Sequence, residues 1–186
     1  MSTNNQLSNI QQKIVDEARR WLHVREIGRN ASFNDPEFEA EMRKIGWRPG
    51  QAWCAYFAKL VWLNVYKDTP LHDILERTLS ASVLVTWRNA KASPVIHTSE
   101  KPIVGGIVCW GTGNGKGHEG IHVEIKDEFN TITVEGNTSR AGVREGDKVI
   151  EKRRKLQPTA KHNKDWRYLG TIIPPSDGSN NTVSSI

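Results

Sequence analysis

Thiol, imidazole and carboxylate side chains can together attack and break an amide bond, and this sequence carries few of the first two. Its 186 residues include two cysteines and six histidines. Cys54 follows a turn signal, Pro49-Gly50, and heads a segment whose apolar residues Phe57, Leu60, Val61 and Val65 recur at helical spacing. A thiol at the start of a helix faces unpaired amides and the positive end of the dipole, which lower its pKa and favour the nucleophilic thiolate. Gln51 places a polar side chain nearby that could help hold an oxyanion. The opposing reading, a small buried hydrophobe among aromatic neighbours such as Trp53 and Tyr56, fits the same local string. Cys109 lies in an apolar run, 106–110, without such partners and reads as core.

A cysteine nucleophile needs a base, and the base needs an orienting group. His23 and His72 fall in helical patterns and His97 and His162 in loops, with no polar constellation around them, so they read as surface histidines. His118 and His122 belong to Gly117-His118-Glu119-Gly120-Ile121-His122-Val123, a strand start after a Gly-rich turn. Same-parity residues share a strand face, so both can point the same way. Four residues along a strand separate them by roughly 13 Å, too far to share one ion, and no metal site is expected. Segments 121–125 and 130–135, joined by 126–129, have the pattern of an antiparallel hairpin. Pairing across it returns Glu135 or Asn137 to the start of the first strand, beside His118 and away from His122. Topology thereby selects His118 as the base and leaves His122 structural. Taken alone, Glu135-Gly136-Asn137 is also an ordinary turn.

Helices must present Cys54 and strands must present the other two. Leu7, Ile10, Ile14, Ala18, Trp21 and Leu22 describe one amphipathic helix. Asn34 and Pro36 read as the N-cap and early-turn proline of a second, running to about Ile45. A third runs from Trp53 to about Tyr66, and shorter ones fit 71–79 and 81–90. Beyond Pro102, segments 106–110, 121–125, 130–135, 149–153 and 168–173 are short, β-branched or alternating, and separated by Gly, Asn and Asp. Helices first and strands second predict an α+β domain, with N-terminal helices packed on a small antiparallel sheet. Its expected extent is 1–173, with 174–186, rich in Pro, Ser, Asn and Gly, as a disordered tail.

Hydrophobic residues at 37% and charged residues at 25% argue against wholesale disorder, and the length suits one domain. Two cysteines give no disulfide framework. The net charge of +5 suits an anionic partner, whether cell-wall polymer, nucleic acid or membrane surface. No nucleic-acid-binding motif accompanies that charge, so no nucleic acid is expected. The basic run 148–155 reads as a solvated strand or loop face. No stretch approaches the roughly 18 apolar residues that span a bilayer, and the polar start 1–12 lacks a signal-peptide core. Synthesis in the cytoplasm is therefore expected, and a substrate outside the membrane would have to be reached by another route.

Cys, then Gly-His at a strand start, then Glu-Gly-Asn after the hairpin: this order resembles the CHAP group of cysteine amidohydrolases and peptidases. That group belongs to the papain-like superfamily with the NlpC-type cell-wall peptidases, and the likeness is strongest to its small phage and prophage versions. The matching strings are 50–57, Gly105-Gly106-Ile107-Val108, 117–123 and 134–139. With the helical approach 18–27 and 38–47, the likeness covers residues 14–155. The resemblance implies Cys54 as nucleophile, His118 as general base, Glu135 as the residue that orients the imidazole, and Asn137 as an amide completing the site. It implies a peptidoglycan hydrolase, either an N-acetylmuramoyl-L-alanine amidase or an endopeptidase. Such an enzyme would reach the cell wall by holin-type release, virion delivery or secretion. Trp53, Trp110 and the loop 111–117 are candidates for the substrate groove, and a monomer without cofactor is expected. Two positions depart from the family pattern: Glu119 replaces a small or apolar residue, and His122 replaces an aliphatic one. No Asp-x-Asp loop precedes Cys54, so no calcium site is expected. The alternatives are an inactive cell-wall-binding module of the same fold, and a cysteine peptidase acting on a protein substrate.

Overall fold

Ser8 supplies the start of helix α1, Asn9–Arg20. In the computed structural model, which describes residues 7–112, 115–139, 146–156 and 167–176, the Ser8 hydroxyl accepts from the Gln11 N–H. The Gln11 side chain in turn accepts from the Ser8 N–H, completing a capping box. The buried stripe of α1 is Ile10, Ile14, Val15 and Ala18. Helix α2, Pro36–Lys44, is capped by Asp35 and not by Asn34 as the sequence suggested. Asp35 Oδ1 accepts from the Phe38 N–H at 2.9 Å, while Asn34 Oδ1 accepts from the Arg25 N–H at 2.6 Å. A carboxylate at that position also faces the positive end of the helix dipole. Asn34 adjoins a small antiparallel pair, β1 (Glu26–Ile27) and β2 (Ser32–Phe33), which was not foreseen. Strands of two residues are too short to show alternation.

Helix α3, Cys54–Tyr66, has ten buried residues and is apolar nearly all round, the mark of a helix enclosed on every side. It packs against α1, α2 and α4 (His72–Thr78), and against strands β5 (Gly117–Asp127) and β6 (Asn130–Thr138). Helix α5, Val83–Ala92, lies on β5 and on β4, Ile107–Gly111. With β3 (Thr98–Ser99), β7 (Lys148–Lys155) and β8 (Arg167–Ile172), these strands form one antiparallel sheet in the order β3-β8-β4-β5-β6-β7. Five helices, this six-stranded sheet and the two-stranded pair make the described residues an α+β fold, as the element order predicted.

Alternation sorts the faces of the sheet. Ile107, Cys109, Ile121, Val123, Val134, Val149 and Ile172 join the helices in the main core. Val108, Trp110 and Leu156 form a second, smaller cluster with Tyr168. On the same parity as that second cluster lie buried His122, Thr131, Thr133, Glu135 and Thr171, a polar load that must be satisfied internally. The β5–β6 hairpin turns through Glu128 and Phe129 between paired Asp127 and Asn130, tighter than the 126–129 connection expected. Its register pairs Ile121 with Val134 and His122 with Thr133.

An aromatic cluster braces the approach to α3. Phe33 meets Phe38 and Trp53 edge-on, with ring centroids at 4.8 and 5.0 Å. Such pairs contribute about 0.5–1.5 kcal/mol each beyond burial. Trp47 Nε1 donates to the Gln51 carbonyl at 3.1 Å, so buried tryptophans flank the turn that delivers Cys54. At the far end of α3 the Tyr66 hydroxyl donates to the Pro175 carbonyl at 2.7 Å. The first residues of the segment expected to be a disordered tail are thus fastened to the fold, and those from 177 on lie outside the described residues.

Candidate active site

Cys54 is the first residue of α3, 8% exposed, and its position is set by the residue before it. The Trp53 ring lies in the aromatic cluster, and its Nε1 donates to Glu26 Oε2 at 3.0 Å. Strand β6 approaches closely at Gly136, where a Cβ would stand 2.6 Å from the Trp53 ring and 2.7 Å from Phe57 Cβ. No side chain of α3's own approach caps the helix. Asn137, at φ 51°, reaches it from the strand: its side-chain oxygen accepts the Trp53 N–H at 3.2 Å and its amide donates to the Gly146 carbonyl at 2.7 Å.

Across the sheet, β4 pairs Trp110 with His118, and the two rings stack at 5.8 Å and 25°. His118 Nε2 is hydrogen-bonded to Glu135 Oε2 at 2.8 Å. Glu135 reaches it over Gly120, where a Cβ would lie 2.6 Å from Glu135 Cγ. Glu135 has no exposed surface. Its Oε1 accepts from Thr133 Oγ1 and Arg154 Nε, both at 2.6 Å, and Arg154 Nη2 donates to Oε2. The Arg154 guanidinium also lies 5.2 Å over the Trp110 ring. His118 is hydrogen-bonded to Cys54 as well. With Nε2 held by Glu135, Nδ1 is the nitrogen left to face the sulfur.

These contacts decide where the protons sit. Burial works against a charge on Cys54, but the charge and hydrogen bond of His118, with the Glu119 and Ala55 N–H groups, outweigh it and lower the thiol below its ordinary value. Burial also disfavours imidazolium at His118, yet Cys54 and Glu135 raise its pKa to about 9. Glu135 would be pushed up by burial, but Arg154 and His118 hold it well below the usual carboxylate range. The contacts therefore shift the balance toward a thiolate–imidazolium pair backed by a carboxylate. Behind it, burial and the charge of Cys54 drive Glu119 well above the carboxylate range. Cys109, 3.9 Å from Glu119 Oε1, is raised in turn by burial and by that carboxyl.

The other expected site residues separate into distinct places. Asn137 fastens the start of α3, and Glu135 holds the imidazole. Gln51 turns back on its own loop, its Oε1 accepting from the Arg48 N–H at 2.8 Å and the Tyr56 hydroxyl at 3.2 Å. Trp53 has no exposed surface and so offers a groove nothing in this conformation, a correction to its place among substrate-binding candidates. Trp110 is buried to 7% exposure and stands against His118, backing the imidazole more than it could line a rim. Of the loop 111–117, residues 113 and 114 lie outside the described residues, as does His162. His122 is fully buried between Thr131 Oγ1 at 2.8 Å and Thr171 Oγ1 at 2.9 Å, and burial lowers its pKa to about 3. It is a neutral bridge. His23 is not isolated as expected, because its Nε2 bonds Asp35 at 2.6 Å. His72 is grouped with Asp73 and Glu76 on the surface of α4.

Two contributors escaped the sequence reading. Thr133 has the inward parity of Thr131 and Glu135, a signal that was there to use. Arg154 was hidden in a charge run that reads as solvated. An open depression of about 370 Å³, lined by Asp127, Glu128, Phe129, Asn130 and Lys155, sits at the other end of β5 and has no part in the arrangement. No family model matches the chain, and no curated protein matches it. The functional argument therefore stands on the site: a thiolate, a base that can return a proton, and a buried carboxylate that holds the base. That set can perform acyl transfer through a thioester.

Proposed function

We propose that this protein is a cysteine amidohydrolase that cuts amide bonds in the peptide of bacterial peptidoglycan, as an N-acetylmuramoyl-L-alanine amidase or an endopeptidase. The observation that carries the chemistry is the chain of contacts from Cys54 at the head of α3, through His118, to Glu135 at 2.8 Å. The choice of peptidoglycan follows the resemblance to CHAP enzymes, and the net charge of +5 suits an anionic polymer.

In this reading the Cys54 thiolate attacks the carbonyl carbon and the C=O π electrons move to oxygen. The oxyanion meets the Cys54 N–H at the helix start, with the Gln51 NH₂ as a second donor. As the C–N bond breaks, imidazolium His118 gives its proton to the leaving amine and a thioester remains. Neutral His118 then takes a proton from water, hydroxide adds to the thioester, and the acid departs with Cys54 restored as thiolate. Glu135 keeps the ring oriented and balances its charge throughout.

Purified sacculi incubated with wild type, Cys54→Ala, His118→Ala and His122→Ala, followed by muropeptide mass spectrometry, test the assignment. New amine and carboxylate termini are expected with wild type and, per folded molecule, with His122→Ala, and are expected to vanish with the other two. Equal cleavage by Cys54→Ala would remove the nucleophile. Sacculus binding without cleavage by wild type would favour a binding module, and cleavage of protein substrates alone would change the substrate class.

A further inference from the structure

We infer that Arg154 is a positioning residue that completes an alternating, net-neutral line of four charges: Cys54 thiolate, His118 imidazolium, Glu135 carboxylate and Arg154 guanidinium. The inference rests on Cys54 being the nucleophile and goes on to say what keeps it ionised.

Glu135 has no exposed surface, and its two oxygens are both occupied by Arg154, which donates from Nε to Oε1 at 2.6 Å and from Nη2 to Oε2. This two-point fork is a geometry that a lysine ammonium does not reproduce, and guanidinium stays charged at every working pH. Burial opposes the charge on Arg154, and Glu135 more than offsets it. Arg154 also meets the imidazole by a second path. Its guanidinium lies 5.2 Å over Trp110, whose ring stacks on His118 at 5.8 Å. One side chain thus holds both the carboxylate and the aromatic plane against which the base rests.

Among the described residues, Lys152 is a further cation whose charge acts on Glu135, and it does so without the two-point fork. On β7, Lys152 Nζ is bound to Thr138 Oγ1 at 3.0 Å and to the Ser139 carbonyl, and burial with Arg154 lowers its pKa. On β5, His122 is held neutral between two threonines. From β8, the Tyr168 hydroxyl bonds Thr171 at 3.0 Å. Glu119 and Cys109 have the opposite strand parity and belong to the helix side. Removing Arg154 therefore leaves thiolate, imidazolium and carboxylate with a net negative charge, centred on a carboxylate that has no exposed surface and that Lys152 offsets only in part. Two anions can shed that charge by binding a proton, and the thiolate takes it first because its ordinary pKa of about 8.5 lies above the carboxylate's of about 4.3. Its formation moves to higher pH.

The test is the pH dependence of iodoacetamide alkylation at Cys54, read by peptide mass spectrometry so that buried Cys109 does not contribute. It needs no peptidoglycan, so its failure can be told apart from failure of the proposed activity. Arg154→Gln is expected to move the midpoint for thiolate formation up by about one pH unit or more, slowing alkylation on the acid side of the midpoint on the order of tenfold. Arg154→Lys keeps the charge without the fork and is expected to show a smaller shift in the same direction, which serves as the reading if Arg154→Gln does not fold. A lowered melting temperature with the wild-type midpoint in the folded variants would overturn the inference and leave Arg154 a structural tie alone.

Discussion

A single imidazole carries most of the consequences at the residue scale. His118 is poised at about 9 because Cys54 and Glu135 flank it, while the Cys54 thiol lies below its ordinary value. Between those two values the thiolate and imidazolium coexist, and that is the form able both to attack and to return a proton. The profile of kcat/KM on a soluble muropeptide is therefore expected to rise as Cys54 ionises, below the ordinary thiol value, and to fall with a midpoint near 9, as the imidazolium loses the proton the leaving amine needs. His122 adds no limb, since burial keeps it neutral down to about 3. A falling limb centred near the ordinary imidazole value of about 6.5 would mean that His118 is not coupled to Cys54 and Glu135.

At the scale of elements, the question is how a strand end comes to hold a helix start. Gly136 lets β6 approach Trp53 and Phe57, and Asn137 next to it accepts the Trp53 N–H. Asn137→Gly keeps the positive φ accessible and removes only the side-chain bonds. It is expected to lower stability in urea unfolding by about 1 kcal/mol, as loss of a hydrogen bond does, while leaving the pH profile of Cys54 alkylation in place. A shifted profile would instead give Asn137 a direct hold on the base. The sequence left Glu135 and Asn137 as alternatives beside His118, because a hairpin pattern fixes pairing only to within a residue or two. The register resolves them, since Gly120 opens a path for Glu135 while the left-handed backbone at Asn137 turns that side chain to the helix. Helix α1 was legible because burial along one stripe imposes a period. Strands of two residues and the choice between Asn34 and Asp35 as cap were not, since neither alters any periodic signal. Arg154 was illegible for another reason. Nothing in a run of basic residues says which one lies across a buried carboxylate until the strand beside it is known.

The two buried glutamates beside the site put opposite pH dependences into the stability of the whole molecule. Glu135 is held below its unfolded value of about 4.3, so the stability it contributes is present above that value and lost as pH falls toward its folded pKa. Glu119 is raised, so its favourable contribution is complete below about 4.3 and disappears as pH rises toward its folded pKa. Above about 4.3 the folded chain thus holds more proton on Glu119 than the unfolded chain does, and folding is weakened by that uptake as pH rises. A glutamine has the same shape and no proton to take up. Glu119→Gln is therefore expected to raise the melting temperature at pH 7, with the gain shrinking toward zero by about pH 4, where unfolded Glu119 is itself half protonated or more. Calorimetric unfolding of both proteins across that range measures the difference. A difference that stays constant with pH would show that no proton on Glu119 is linked to folding, and that its 3.9 Å contact with Cys109 and its place beneath Cys54 are matters of packing. The expected trend would mean that the protein gives up stability at neutral pH to keep an uncharged acid behind its thiolate, where an ionised one would repel it.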